Sequence, residues 1–228
     1  MARRAVGRDS SIGIWRLDSD VGGLLNVAKL ATNDLSNSGT TSESVSGMPW
    51  SHARRFSKAT RDYLYVADHA DLNFATANSM SFFCWIKPSS WDSSGSCFVW
   101  KIDATGGYSF RYDNAAGQLI VATKTSGVTT ERTYTVPLSL DQWHHIGFSI
   151  YESVAYRIYA DGEASSIQTT VTLGDSTSTL YLGRDDTDAK DFDGLMADVL
   201  LSSSYIPANV PHFLYNAPDD VVFYEVEE

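Results

Sequence analysis

The chain has 228 residues, 43% of them hydrophobic, and a formal net charge of −11. A chain of this length buries roughly 70% of the surface its unfolded form exposes, so it needs neither metal nor disulfide to fold; so acidic a surface repels phosphate backbones and argues against nucleic acid as a partner. No run of about twenty apolar residues exists to span a membrane, and the opening Met1 to Arg8 has arginines but no continuous apolar stretch, unlike a secretory leader.

In chain order, residues 1–10 read as a basic arm in which Arg3, Arg4 and Arg8 precede any acid. The arm is either a solvated tail or a segment that docks on an acidic neighbour. Ser11 to Leu17 alternates as a strand. Residues 21–31 are the one early helical candidate, weakened by Gly22 and Gly23. Thr32 to Gly47 is Ser, Thr, Asn and Gly with few apolar anchors and reads as a long loop. Strand signals then recur at short intervals: Asp62 to Val66, Met80 to Pro88, Cys97 to Ile102, Tyr108 to Tyr112, Leu119 to Thr123, Thr130 to Val136, His144 to Tyr151, Tyr156 to Ala160, Leu180 to Gly183 and Leu195 to Leu201. Such spacing predicts a sandwich. Pro88 is expected to end its strand's pairing, and Asp161-Gly162 is the strongest hairpin signal. Tyr205 to Tyr215 suggests one helical turn, and residues 217–228 an acidic tail with apolar alternation.

These segments resemble the laminin-G-like, concanavalin-A-like jelly rolls. The resemblance is carried by Gly13 to Asp18, the Asp-containing loop Asn33 to Gly39, the strand Ser81 to Pro88 ending in Trp85-Ile86-Lys87-Pro88, the Trp143-His144-His145 strand, the hairpin Arg157 to Glu163, and the closing stretches Leu180 to Arg184 and Phe192 to Leu200. Order and spacing cover residues 11–216 as one domain. The resemblance implies an all-β, two-sheet antiparallel jelly-roll sandwich. It leaves function open, since lectins, glycan-binding modules, adhesion domains, glucanases and virus surface proteins share this fold.

Glucanases of this fold set acids on alternate residues of one strand, as Glu-x-Asp-x-x-Glu, to flank the glycosidic bond. The pattern is absent, and the chain is expected not to be an enzyme. His144 and His145 are neighbours on a strand, point to opposite faces and cannot jointly hold one ion; in the resembled family the pair is structural. His52, His69 and His212 are isolated, and no spacing suggests zinc. Cys84 and Cys97 sit in apolar runs and read as buried free thiols.

Asp185 to Asp193 places five carboxylates in nine residues. Hard oxygen ligands on a loop suit calcium; a solvated acidic loop is the alternative. In the resembled family a calcium lies between the early loop, here Asp34, and an Asp of the last strand, where this sequence has Ala197 with Asp198 beside it. The calcium candidates are therefore Asp34, Asp185, Asp186, Asp188 and Asp198, and no cofactor is required. For a glycan, an aromatic platform beside carboxylate or amide acceptors is wanted. Trp91 with Asp92 is the candidate, with Tyr108 and Tyr112 behind it; a loop tryptophan covering the sandwich end is the alternative. Trp85, Trp100 and Trp143 are expected in the core.

The function expected is a non-enzymatic structural or binding protein of a virus particle, assembled in the host cytoplasm, as a bacteriophage capsid decoration or fibre-type subunit. Its partners would be other virion proteins, a sister subunit or cell-surface glycans. The alternatives are a glycan-binding module of an extracellular protein and, behind it, a glycoside hydrolase.

Overall fold

The computed structural model describes residues 11–15, 17, 33–46, 48, 52–151, 154–168, 172–187 and 189–207. The basic arm, the early helical candidate and the acidic tail lie outside them, as do Arg3, Arg4, Arg8, Asp188, His212 and the expected helical turn from residue 208 onward. Among the described residues the strands are β1 (Ser11–Trp15), β2 (Ser36–Ser38), β3 (Thr41–Ser44), β4 (His52–Phe56), β5 (Tyr63–Val66), β6 (Ser79–Ser90), β7 (Ser96–Ile102), β8 (Gly107–Asp113), β9 (Gln118–Thr125), β10 (Val128–Thr135), β11 (His144–Tyr151), β12 (Ala155–Ala160), β13 (Glu163–Ala164), β14 (Leu180–Leu182) and β15 (Asp193–Ser202). One eight-stranded sheet runs β13-β12-β11-β6-β15-β4-β3, with β1 also on β15; one seven-stranded sheet runs β10-β9-β8-β7-β14-β5-β2. Every registered pair is antiparallel. β4 and β1 take successive stretches of β15, at Gly194 to Met196 and at Val199 to Ser202. The chain is the all-β sandwich that the alternating pattern predicts, and no described helix is long and apolar enough to cross a membrane.

The shared interior explains the alternation. Met80, Phe82, Cys84 and Ile86 of β6 and Ile146, Phe148 and Ile150 of β11 face Phe110 and Tyr112 of β8 and Leu119 and Val121 of β9. Phe110 lies 5.5 Å from Phe148, 6.2 Å from Phe82 and 5.5 Å from Phe98, in edge-on or tilted contacts that suit aromatic quadrupoles. Cys84 and Cys97 are free and buried, and burial pushes both thiols up.

Two local expectations are corrected, and strands appear that the pattern does not mark. Thr32 to Gly47 holds two strands, β2 and β3; both carry mostly exposed polar side chains, and β3 is a sheet edge, so no apolar alternation marks them. β4 is the third: its Arg54 and Arg55 hide the buried Ala53 and Phe56. Nor does Pro88 end its strand. Pairing with β11 begins at Ile86, but pairing with β15 runs on through Pro88 to Ser90, across a register shift between Asp193 and Gly194. The Asp161-Gly162 turn forms as read, with φ of 51° and 84°, the two positive values a type I′ turn requires.

His144 and His145 go to different partners. The His144 ring donates from Nδ1 to Asp161 Oδ2 at 2.7 Å and from Nε2 to the Ser139 carbonyl at 3.1 Å. Neither acceptor carries a proton, so the ring that satisfies both is the imidazolium; burial opposes the charge, but Asp161 outweighs it and the pKa rises. His145 is buried between Phe83 (5.6 Å) and Trp85 (5.1 Å), and desolvation lowers it to about 4. Below pH 6.5 the unfolded chain therefore takes up a proton that folded His145 refuses. The stability His145 carries is full above pH 6.5 and lost as the pH falls to about 4, by roughly 3 kcal/mol. Urea unfolding of H145F should lack that slope relative to the parent; an unchanged slope would contradict this.

Candidate functional site

Outside its interior the sandwich treats its two sheets differently. On the outer face of the eight-stranded sheet, Phe83, Trp85, His145 and Tyr159 are all buried. Trp85 packs with Ala53, Leu195 and Ala197, and Val45, Met48 and Trp143 close on them. Trp85 and Trp143 are thus covered, but in a satellite cluster rather than between the sheets.

The seven-stranded sheet has an open outer face. A groove of 540 Å³ there is lined by Trp100, Ser109, Arg111, Ala122, Lys124 and Glu131, among others, with Asp103, Ser178 and Asp186 at its margin. Trp100, expected in the core, is instead half-buried on this face. A bulge between Cys97 and Val99 shifts the register of β7 on β8, so that Val99 pairs with Phe110 inward and Trp100 with Ser109 outward. An extra residue in a strand re-aims the side chains beyond it.

Ser109 and Ala122 are small and buried and form the floor. The Ser109 hydroxyl and the Trp100 indole N–H are both buried without a protein partner, whereas buried polar groups are nearly always paired. Arg111 Nη2 donates to Glu131 Oε1 at 2.9 Å, and Lys124 Nζ to the Asp103 carbonyl at 2.9 Å. Asp103 fastens the margin. Its Oδ1 accepts from the Thr105 and Gly106 N–H groups and the Thr105 hydroxyl, and Oδ2 from the Thr177 N–H at 2.7 Å. Desolvation raises its pKa, but these hydrogen bonds outweigh it and hold the carboxylate well below the usual range. Lys101, fully buried, donates to Asp68 at 2.7 Å and to the Ser176 and Ser178 carbonyls, so Ser178 is pinned as well.

The residues expected to bind glycan are arranged otherwise. Trp91 is half-buried and packs on Tyr112 at 4.5 Å and on the core. Asp92 Oδ1 accepts the N–H and hydroxyl of Ser94, which closes the loop on itself. Tyr112 is buried behind Trp91, its hydroxyl accepting from the Leu138 N–H and donating to the Val136 carbonyl. Tyr108 lies at the far end of β8, buried against Phe74, its hydroxyl donating to the Leu72 carbonyl. Both tyrosines present no face to a ligand, which corrects their place in the candidate set.

The calcium candidates are not gathered into one cluster: among the described residues no three His, Cys, Asp or Glu side chains could hold a metal together. Asp34 is exposed ahead of β2, and Asp198 sits in β15 at a positive φ of 45°. Asp185 is buried and taken up by its own loop, accepting from the Thr187 N–H and hydroxyl, the Ala189 N–H and Lys190 Nζ. Burial raises its pKa, but those partners lower it further. Asp186 is exposed at the groove.

The fold is that of a lectin-like jelly-roll domain. The family model of the concanavalin A-like lectin/glucanases superfamily, of laminin G type, matches residues 58–208, and the chain belongs to that superfamily. No curated protein matches the sequence. Among solved structures it is similar to the binding domain of Paraclostridial mosquitocidal protein 1 (TM-score 0.74, 14% identity, 92% of this chain and 53% of that one). It is also similar to the binding domain of botulinum neurotoxin DC in complex with SialylT (TM-score 0.69, 14% identity, 92% and 52%). A third is domain 4 of AbnA, an extracellular arabinanase from Geobacillus stearothermophilus, in complex with arabinotriose (TM-score 0.68, 14% identity, 90% and 98%). The chain spans about half the length of the toxin binding domains. At these identities the likeness is one of fold.

Since Asp103 ties the β7–β8 turn to the 175–178 loop, D103A should lower stability by about 1–3 kcal/mol in urea unfolding. A loss within error would mean that the turn holds itself.

Proposed function

We propose that the chain is a non-enzymatic glycan-binding module whose ligand occupies the groove on the outer face of the seven-stranded sheet. The observation that carries this is the half-buried Trp100 over a small floor, with a buried hydroxyl and a buried indole N–H that no protein group satisfies. An aromatic face takes the apolar side of a sugar ring, while the Arg111 and Glu131 side chains take its hydroxyls. Two of the similar structures carry saccharides by their descriptions, SialylT and arabinotriose, which is consistent with a sugar ligand here. Binding is favoured over hydrolysis because a glycosidase needs one carboxyl group held protonated, whereas the Asp103 carboxylate at the groove is shifted the other way.

On a glycan array followed by calorimetry with the best hit, W100A should weaken binding at least tenfold, about 1.4 kcal/mol or more, and more than W91A does. An equal or larger loss in W91A would move the site to the sandwich end. No binding by the parent protein would remove the reading.

A second reading sets this module on the surface of a virus particle, as a decoration or fibre-type subunit. The three arginines among residues 1–10 of a chain with net charge −11 favour it, because a cationic arm suits an acidic neighbouring subunit. Deleting residues 1–10 should abolish co-sedimentation with particles while glycan binding persists; co-sedimentation of the truncated protein would contradict the docking role.

A further inference from the structure

Four residues of the groove, Glu131, Ala122, Ser109 and Trp100, belong to a row of side chains that crosses the whole sheet. Glu131 of β10 opposes Ala122 of β9, Ala122 opposes Ser109 of β8, and Ser109 opposes Trp100 of β7. Trp100 then opposes Tyr181 of β14, Tyr181 opposes Tyr65 of β5, and Tyr65 opposes Ser36 of β2. Opposed residues of paired strands point to the same face, so all of these stand outward in one line. Tyr65, Tyr181 and Trp100 are each half-buried, leaving part of each ring open. Tyr63 braces the tyrosines, with ring centroids 5.7 Å from Tyr65 and 5.6 Å from Tyr181.

Strands lie about 4.8 Å apart, so the five steps from Glu131 to Tyr65 extend roughly 24 Å. One step is close to the length of a sugar unit along an extended chain. A single sugar would fill the Trp100 and Ser109 position and leave both tyrosines unused.

Charge narrows the class further. The groove's cations are engaged: Arg111 by Glu131 and Lys124 by the Asp103 carbonyl. Arg184, nearest the aromatic end, lies over the rings of Tyr63 at 4.4 Å and Tyr181 at 5.3 Å, and its Nε donates to the Asp185 carbonyl. Against these stand the carboxylates of Asp103, Glu131 and Asp186 at the groove. Recognition of an anionic sugar calls for a surplus of positive potential facing it, and this face has none.

Building on the glycan-binding reading, we infer that the ligand is an uncharged, linear oligosaccharide laid across the strands, with one end at Arg111 and Glu131, its middle over Ser109 and Trp100 and its further units over Tyr181 and Tyr65. Its test is calorimetry with malto- and arabino-oligosaccharides of two to six units, with a sialylated trisaccharide alongside. In at least one neutral series, affinity should rise tenfold or more from two to five units. Y65A should shrink that ratio to less than threefold, and Y181A, a second variant in case the first lowers the melting temperature, should do the same. A flat length series with W100A-sensitive binding would overturn the extended ligand and leave the module reading standing. Tightest binding of the sialylated sugar would overturn the neutral class. Absence of binding by every probe would overturn both this inference and the reading beneath it.

Discussion

Phe110 is the point on which the sandwich closes. It stands on the second sheet and reaches Phe82 and Phe148 on the first, with Phe98 at its side and Phe192 beyond, 5.6 Å from Phe98 and 5.9 Å from Phe56. Fully burying each such ring is worth roughly 1.5–3 kcal/mol of apolar transfer, and rings of this size fill the space between two sheets packed about 10 Å apart. Loops and outer faces can then vary, because the sheets are held from within.

That independence lets the outer faces diverge. On the first sheet Trp85, Phe83 and Tyr159 lie under cover, and the Tyr159 hydroxyl donates to the Ile206 carbonyl, which ties the segment after β15 across that face. The second sheet keeps its outer face open, with aromatic rings at one side, two small residues in the middle and an Arg–Glu pair at the other. Buried Lys101 and ionised Asp103 hold its margin still. A preorganised face loses little freedom on binding, which matters where each contact to a sugar is weak.

Much of the architecture was legible because an apolar residue at every second position has one physical meaning in a half-buried strand. Leu64 and Val66 against Tyr63 and Tyr65 show it, as does Asp161-Gly162 for the turn. Legibility failed at sheet edges, where Ser36 to Ser38 and Thr41 to Ser44 bury too little to carry a pattern. The site was harder still. A one-residue bulge beside Phe98 decides which way Trp100 points, and no composition rule locates a bulge. Tyr108 and Tyr112 look polar enough for a surface yet satisfy their hydroxyls inside. The row from Glu131 to Tyr65 joins six strands and exists only once their registers are known. Asp185 shows the same limit: five carboxylates in nine residues suggest a cation, whereas the buried one is satisfied by its own turn.

In the proposed function the outer face of the second sheet receives the ligand. Indole N–H resonances report it most directly, since the chain has six tryptophans and each gives one such signal. On adding a bound oligosaccharide, the Trp100 resonance should move while those of Trp85, Trp91 and Trp143 hold still. Movement of Trp91 with Trp100 unmoved would contradict the account.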